Sequence, residues 1–148
     1  MMMSPKARDA VNSEAVGDPS GSYSHGIRVG ELLFLAGQVA SLPDGTVRRD
    51  SVAGQVRQAL RNLDAAAVAG GSALTNAVQV RVYLRDLADF EEMDAEYRTH
   101  FAHPLPARTT IQSNFTDFDV EIDAIVQVSG RGGSGDPLRS DPDQGSTA

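Results

Sequence analysis

The sequence predicts an α+β domain, a mixed β-sheet with two helices packed on one face. Three observations carry this. Asn76 to Arg85 alternates Val78, Val80, Val82 and Leu84 with Gln79, Arg81, Tyr83 and Arg85, the period of two expected of a half-buried strand. Val52, Val56, Leu60, Leu63 and Ala67 recur at spacings of four, four, three and four, which lines one face of a helix over residues 51–69. The segments then follow one another in the order β-β-α-β-α-β-β. Two helices can cover one face of such a sheet, and a symmetric oligomer is the natural way to bury the other.

The elements follow from local chemistry. Ile27-Arg28-Val29 and Leu32-Leu33-Phe34-Leu35 flank Gly30-Glu31, a hairpin whose glycine suits a II′ turn. The second of these strands is apolar on both sides, which predicts an interior strand with both faces covered. Pro43-Asp44-Gly45 makes a turn. Asp50 or Ser51 can cap the first helix, and Gly70-Gly71 ends it. A second helix is expected over about 88–101, with Phe90, Met93, Tyr97 and Phe101 as a core stripe, stopped by Pro104 and Pro106. Residues 107–112 and 120–128 alternate as two further strands, and a short one is expected near Val11 to Glu14.

Composition bounds the function. Of the 148 residues, 1–10 read as a flexible arm, 11–128 as the folded unit, and 129–148 as a disordered tail of Gly, Ser, Asp, Pro and Arg. No apolar run of signal or membrane-spanning length is present, so no membrane partner is expected. The absence of cysteine excludes disulfides, thiolate catalysis and cysteine-ligated metals, and fits a cytoplasmic location. The net charge is −7, and Lys6 is the only lysine, so nucleic acid is a poor expected partner. The three histidines show no zinc-ligand spacing, and no metal is expected.

Chemistry concentrates on the last two strands. Alternation puts Arg108 and Thr110 on one face of the first, and Glu121 and Asp123 on one face of the second. Were the two strands paired with those faces coincident, a guanidinium, a hydroxyl and two carboxylates would share one surface. The planar fork of an arginine suits a ligand carboxylate. The same spacing also accommodates a plain cross-strand ion pair from Arg108 to Glu121 or Asp123.

In chain order, GSYSHG, LLFLAGQVA, VQVRVYLRDLADF, PARTTIQ and VEIDAIVQV resemble the RidA/YjgF family of reactive-intermediate deaminases, over roughly residues 11–128. The resemblance implies a chorismate-mutase-like fold and a homotrimer with a central barrel-like core and clefts between neighbouring subunits. It implies hydrolysis of 2-aminoacrylate and related imino acids to keto acids and ammonia, without a cofactor. By position, Arg108 matches the family's carboxylate-binding arginine and Glu121 the glutamate that holds or activates water. Tyr23 matches the pocket tyrosine, and Gly37 lies in the strand that offers backbone contacts. Asp94 stands where asparagine is usual, Thr110 where cysteine or serine is, and His25 where glutamine is. The segment SNFTDFD is shorter than the family norm. These departures keep two further possibilities open, a deaminase of larger aminomuconate-like substrates and a non-catalytic small-carboxylate-binding or chaperone-like protein. Family members have also been called ribonucleases, against which the acidic balance of this chain argues.

Overall fold

A computed structural model describes residues 3–129. Its regular elements are β1 (Asp9–Val11), β2 (Gly26–Val29), β3 (Leu32–Gln38), α1 (Val52–Ala69), β4 (Ala77–Leu84), α2 (Phe90–Tyr97), β5 (Ala107–Gln112) and β6 (Val120–Gln127). The strands form one mixed sheet in the order β1-β2-β3-β6-β4-β5. All neighbours are antiparallel except β4 and β5, which run parallel because α2 carries the chain back across the sheet. Apart from Ser129, the expected tail lies outside the described residues.

The helical face of the sheet holds the core. α1 lies across β3 and β6, and α2 packs beside α1. Leu33, Val80, Val82, Leu84, Ile122 and Val126 meet Val56, Leu60 and Leu63 of α1, all at most 1% exposed. Each such side chain contributes roughly 1.5–3 kcal/mol by leaving water. Ser51 caps α1 by accepting the Gly54 N–H at 3.0 Å, and Gly71 follows it at φ +85. Gly30 turns the β2–β3 hairpin at φ +59, as its position between the two strands requires.

Several local expectations are corrected. The short first strand lies at Asp9–Val11, two residues before its expected start, and Glu14–Val16 is a 3-10 turn. Val78 is exposed, because a bulge between Ala77 and Gln79 in the pairing with β6 shifts the alternation by one residue. The second helix is α-helical only over Phe90–Tyr97, with 3-10 turns on either side. Its stripe therefore breaks: Met93 and Tyr97 are buried, whereas Phe90 at the first turn is 38% exposed. β3 is interior to the sheet, between β2 and β6, yet only one of its faces is covered. Leu33 and Leu35 meet the helices, while Phe34 on the other face is 43% exposed.

That second face is a mixed surface. Phe34, Leu32 and Ile111 lie exposed on it. Among them Asp123 accepts a hydrogen bond from Arg81 Nε at 2.8 Å and one from the Tyr83 hydroxyl at 3.0 Å.

Candidate active site

The last two strands are not neighbours. β4 lies between β5 and β6, and register settles which way each side chain faces. β5 pairs with β4 as Val80↔Arg108 and Val82↔Thr110, so Arg108 and Thr110 share the helical face with those buried valines. β6 pairs with β4 as Arg81↔Asp123 and Tyr83↔Glu121, so Glu121 and Asp123 stand on the uncovered face. The expected single surface of guanidinium, hydroxyl and two carboxylates is therefore two half-sites on opposite faces of the sheet. Neither simple ion pair forms either. Asp123 pairs with Arg81, its directly opposed residue, and Arg108 pairs with Asp94 of α2.

The first half-site is built where β5, the edge strand, meets α2. Arg108 Nη1 donates to Asp94 Oδ1 at 2.7 Å, and Arg98 Nη2 donates to Asp94 Oδ2 at 2.8 Å. The guanidinium carbon lies 4.6 Å from the Tyr97 ring centroid and 5.4 Å from that of Phe90. Arg108 is thus gripped by two aromatic rings and one carboxylate, and only 21% of its side chain is exposed. Its other donors have no hydrogen-bond partner among the described residues. Two hydroxyls on the same face, Tyr97 Oη and Thr110 Oγ1, are also buried without a hydrogen-bond partner among the described residues. Burial pushes the Tyr97 phenol up to about 12, so it stays a neutral donor at physiological pH. The Arg108 hydrogen bond, ahead of that from Arg98, holds the Asp94 carboxyl below its ordinary range, so Asp94 is ionised. A groove of about 710 Å³ runs beside these groups, with Phe101, Leu105 and Pro106 as its apolar wall.

The second half-site is a recess of about 470 Å³ containing Tyr23, His25, Gly37, Phe118 and Glu121. The Tyr23 hydroxyl accepts from the Ser20 N–H at 3.3 Å and lies 3.1 Å from Ser20 Oγ, which fixes the ring at the rim. Gly37 sits where the β3–β6 register shifts between Leu35 and Gln38. A Cβ there would fall 2.9 Å from Glu121 Cδ, so only glycine leaves the carboxyl its place. Burial first, then repulsion from Asp123, raises the Glu121 carboxyl above its ordinary value. A raised carboxylate is a better proton acceptor near neutrality.

Of the residues singled out from the sequence, the fold brings Arg108 and Asp94 together in one half-site, and Tyr23, Gly37 and Glu121 together in the other; Thr110 shares the strand face of Arg108 but does not line the groove. Arg98 and Tyr97 were missed as site residues. Arg98 stands four residues after Asp94 on one helix face, a spacing that marks an ion pair. Tyr97 was legible only as core. Among the described residues, no group of three or more His, Asp or Glu side chains is placed to hold a metal ion. No helix among them is long and apolar enough to cross a membrane.

The family model described as endoribonuclease L-PSP matches residues 13–128. A RutC family protein of Pyrococcus horikoshii is 35% identical over 122 residues, covering 80% of this chain and 97% of that protein. The chloroplastic Reactive Intermediate Deaminase A of Arabidopsis thaliana is 33% identical over 106 residues, 71% of this chain and 57% of that one. Among solved structures, the YjgF gene product of E. coli superposes with a TM-score of 0.74 at 30% identity, covering 80% of this chain and 98% of that one. The yeast YEO7 protein superposes with a TM-score of 0.80 at 29% identity, over 83% and 100%.

Proposed function

The chain belongs to the endoribonuclease L-PSP family, the YjgF/RidA group, and from that membership and its two half-sites we propose that it hydrolyses 2-imino acids to 2-keto acids and ammonia. The observation that carries this is Arg108, a nearly buried cation stacked on Tyr97 whose free donors have no partner among the described residues. Such a group is an anchor for a small carboxylate. The reaction is R–C(=NH)–COO⁻ + H₂O → R–CO–COO⁻ + NH₃. Arg108 binds the carboxylate, and Glu121 takes a proton from water as its oxygen adds to the imine carbon. Glu121 passes that proton to nitrogen, which gives a carbinolamine; it then takes the hydroxyl proton and delivers it to the same nitrogen, so that the C–N bond breaks, ammonia leaves and the added oxygen becomes the keto oxygen. An imine carbon is already electrophilic, so orientation and proton handling supply most of what the step needs.

Arg108 and Glu121 face opposite sides of one sheet, so a single chain does not bring them to one substrate. The proposal therefore includes a cyclic homotrimer, in which the edge half-site of one copy meets the uncovered face of the next. The apolar groups on that face, Phe34, Leu32 and Ile111, would be covered in the same contact. The direct test generates 2-iminobutanoate with an amino-acid oxidase and traps it with semicarbazide. The protein should lower the trapped signal as 2-oxobutanoate and ammonia rise, and an unchanged signal would reject the activity. A second possibility, a larger dienamine substrate, is favoured by the 710 Å³ groove beside Arg108. Comparing rates on small imino acids and on aminomuconate-like compounds separates the two.

Two further outcomes follow. Asp94 already holds one arm of Arg108, so a substrate carboxylate on the same guanidinium meets a like charge. At about 5 Å and an effective dielectric of about 20 that repulsion is about 3 kcal/mol, part of it offset by Arg98. Asp94→Asn should therefore lower KM for anionic substrates about tenfold, and an unchanged or higher KM in steady-state assays would refute this. Glu121 must be ionised to act, so activity is lost as pH falls through its raised pKa. The acid limb of kcat should then lie above the ordinary glutamate value of about 4.3. Asp123→Asn removes the repelling neighbour and should move that limb to lower pH, as a pH–rate profile will show.

A further inference from the structure

His25 is 2% exposed, yet it lines the same recess as Gly37 and Glu121. One ring nitrogen is explained by the fold. The backbone N–H of Ser13 donates to Nδ1 at 3.0 Å, and the His25 N–H donates to Asn12 Oδ1 at 3.0 Å, which ties the segment after β1 to the start of β2. A backbone N–H only donates, so Nδ1 must present its lone pair and the proton of the neutral ring must sit on Nε2. Burial lowers the pKa of this histidine below 6.5, against a weaker opposing pull from Asp18, so the ring is neutral at pH 7. Nε2–H has no hydrogen-bond partner among the described residues.

The Ala36 N–H donates to the His25 carbonyl at 2.9 Å, which sets His25 alongside Ala36 and one step from Gly37. Glu121 lies on the far side of Gly37. His25 and Glu121 are therefore two strands apart, roughly 10 Å between backbones, with a glycine between them that offers no side chain to fill the space. The other charged groups bordering the recess, Asp18 and Asp44, are acidic.

We propose that His25 is the hydrogen-bond donor of this half-site, its Nε2–H holding the oxygen that Glu121 activates and that becomes the keto oxygen of the product. No proton leaves the ring; the imidazole orients the oxygen while Glu121 carries the proton. This rests on the hydrolytic activity proposed above, and it differs from a purely structural histidine, which would need only Nδ1.

The test compares the full-length protein with H25L and H25Q. Leucine neither accepts from Ser13 nor donates, whereas glutamine can do both through its two amide atoms. H25L should lose about 30-fold or more in kcat, with KM within about threefold, and H25Q should recover most of that loss. Retention of activity by H25L, or an H25Q as slow as H25L although both melt with the parent, overturns the proposal. Should H25L fail to fold, the parent protein decides. With ¹⁵N-labelled histidine, the Nε2–H tautomer is expected, and its Nε2 resonance should move on saturation with 2-oxobutanoate. An Nδ1–H tautomer or an unmoved resonance overturns the donor role. A parent protein with no imine hydrolysis at all rejects the activity instead, and the same titration still reports on the donor.

Discussion

Replacing Arg108 by alanine is expected to lower kcat/KM for 2-iminobutanoate by about 10²–10⁴-fold, because two charge-assisted hydrogen bonds worth about 1.5–3 kcal/mol each are lost. The fold should tolerate the change. Asp94 keeps Arg98 as a partner, so no buried carboxylate is stranded, and the core beneath β5 is made by Val80 and Val82 rather than by Arg108. What is lost structurally is the stacking on Tyr97 and Phe90, about 1–2 kcal/mol, or a few degrees of melting temperature. Arg108→Lys keeps the charge but not the planar fork, and should recover only part of the rate. Steady-state kinetics beside thermal melts separate the two effects. An Arg108→Ala protein that turns over at the parental rate would remove the carboxylate anchor from the proposal.

The second large effect is a recovery of activity on mixing. Arg108→Ala and Glu121→Gln should each be nearly inactive alone. In a cyclic trimer whose sites take Arg108 from one copy and Glu121 from the next, every mixed ring holds one site with both groups intact. About three quarters of rings are mixed when equal amounts are co-assembled, so about a quarter of parental activity should return. The parent activities merely averaging would mean that no site is shared between copies. Register supplies the reason to expect shared sites, since Arg108 shares a face with Val80 and Glu121 shares the other with Tyr83; the one-quarter figure adds the proposed ring of three.

Much of the fold was legible. The alternation in β4 and β6, the stripe of α1 with its Ser51 cap and Gly70-Gly71 end, and the β2–β3 hairpin all follow from short-range periodicity and turn chemistry. The misses have local causes that periodicity does not carry. A single bulge turned Val78 outward, and a helix of two turns left Phe90 at the rim of the core it was expected to join.

The residue types in the candidate site were legible in the same way, since an arginine, a glutamate and a glycine on short strands announce their chemistry wherever they sit. Their partners were not. Asp94 and Tyr97 reach Arg108 only because α2 returns the chain so that β5 runs parallel to β4. The strands, the helices and the groups that could do chemistry follow from the order of amino acids, because these depend on neighbours a few residues apart. Tertiary structure alone decided that β6 enters between β3 and β4. Strand order and register are long-range pairings, and a shift of one residue in register moves every side chain to the other face of the sheet. That parity is what parts Arg108 from Glu121 within one chain.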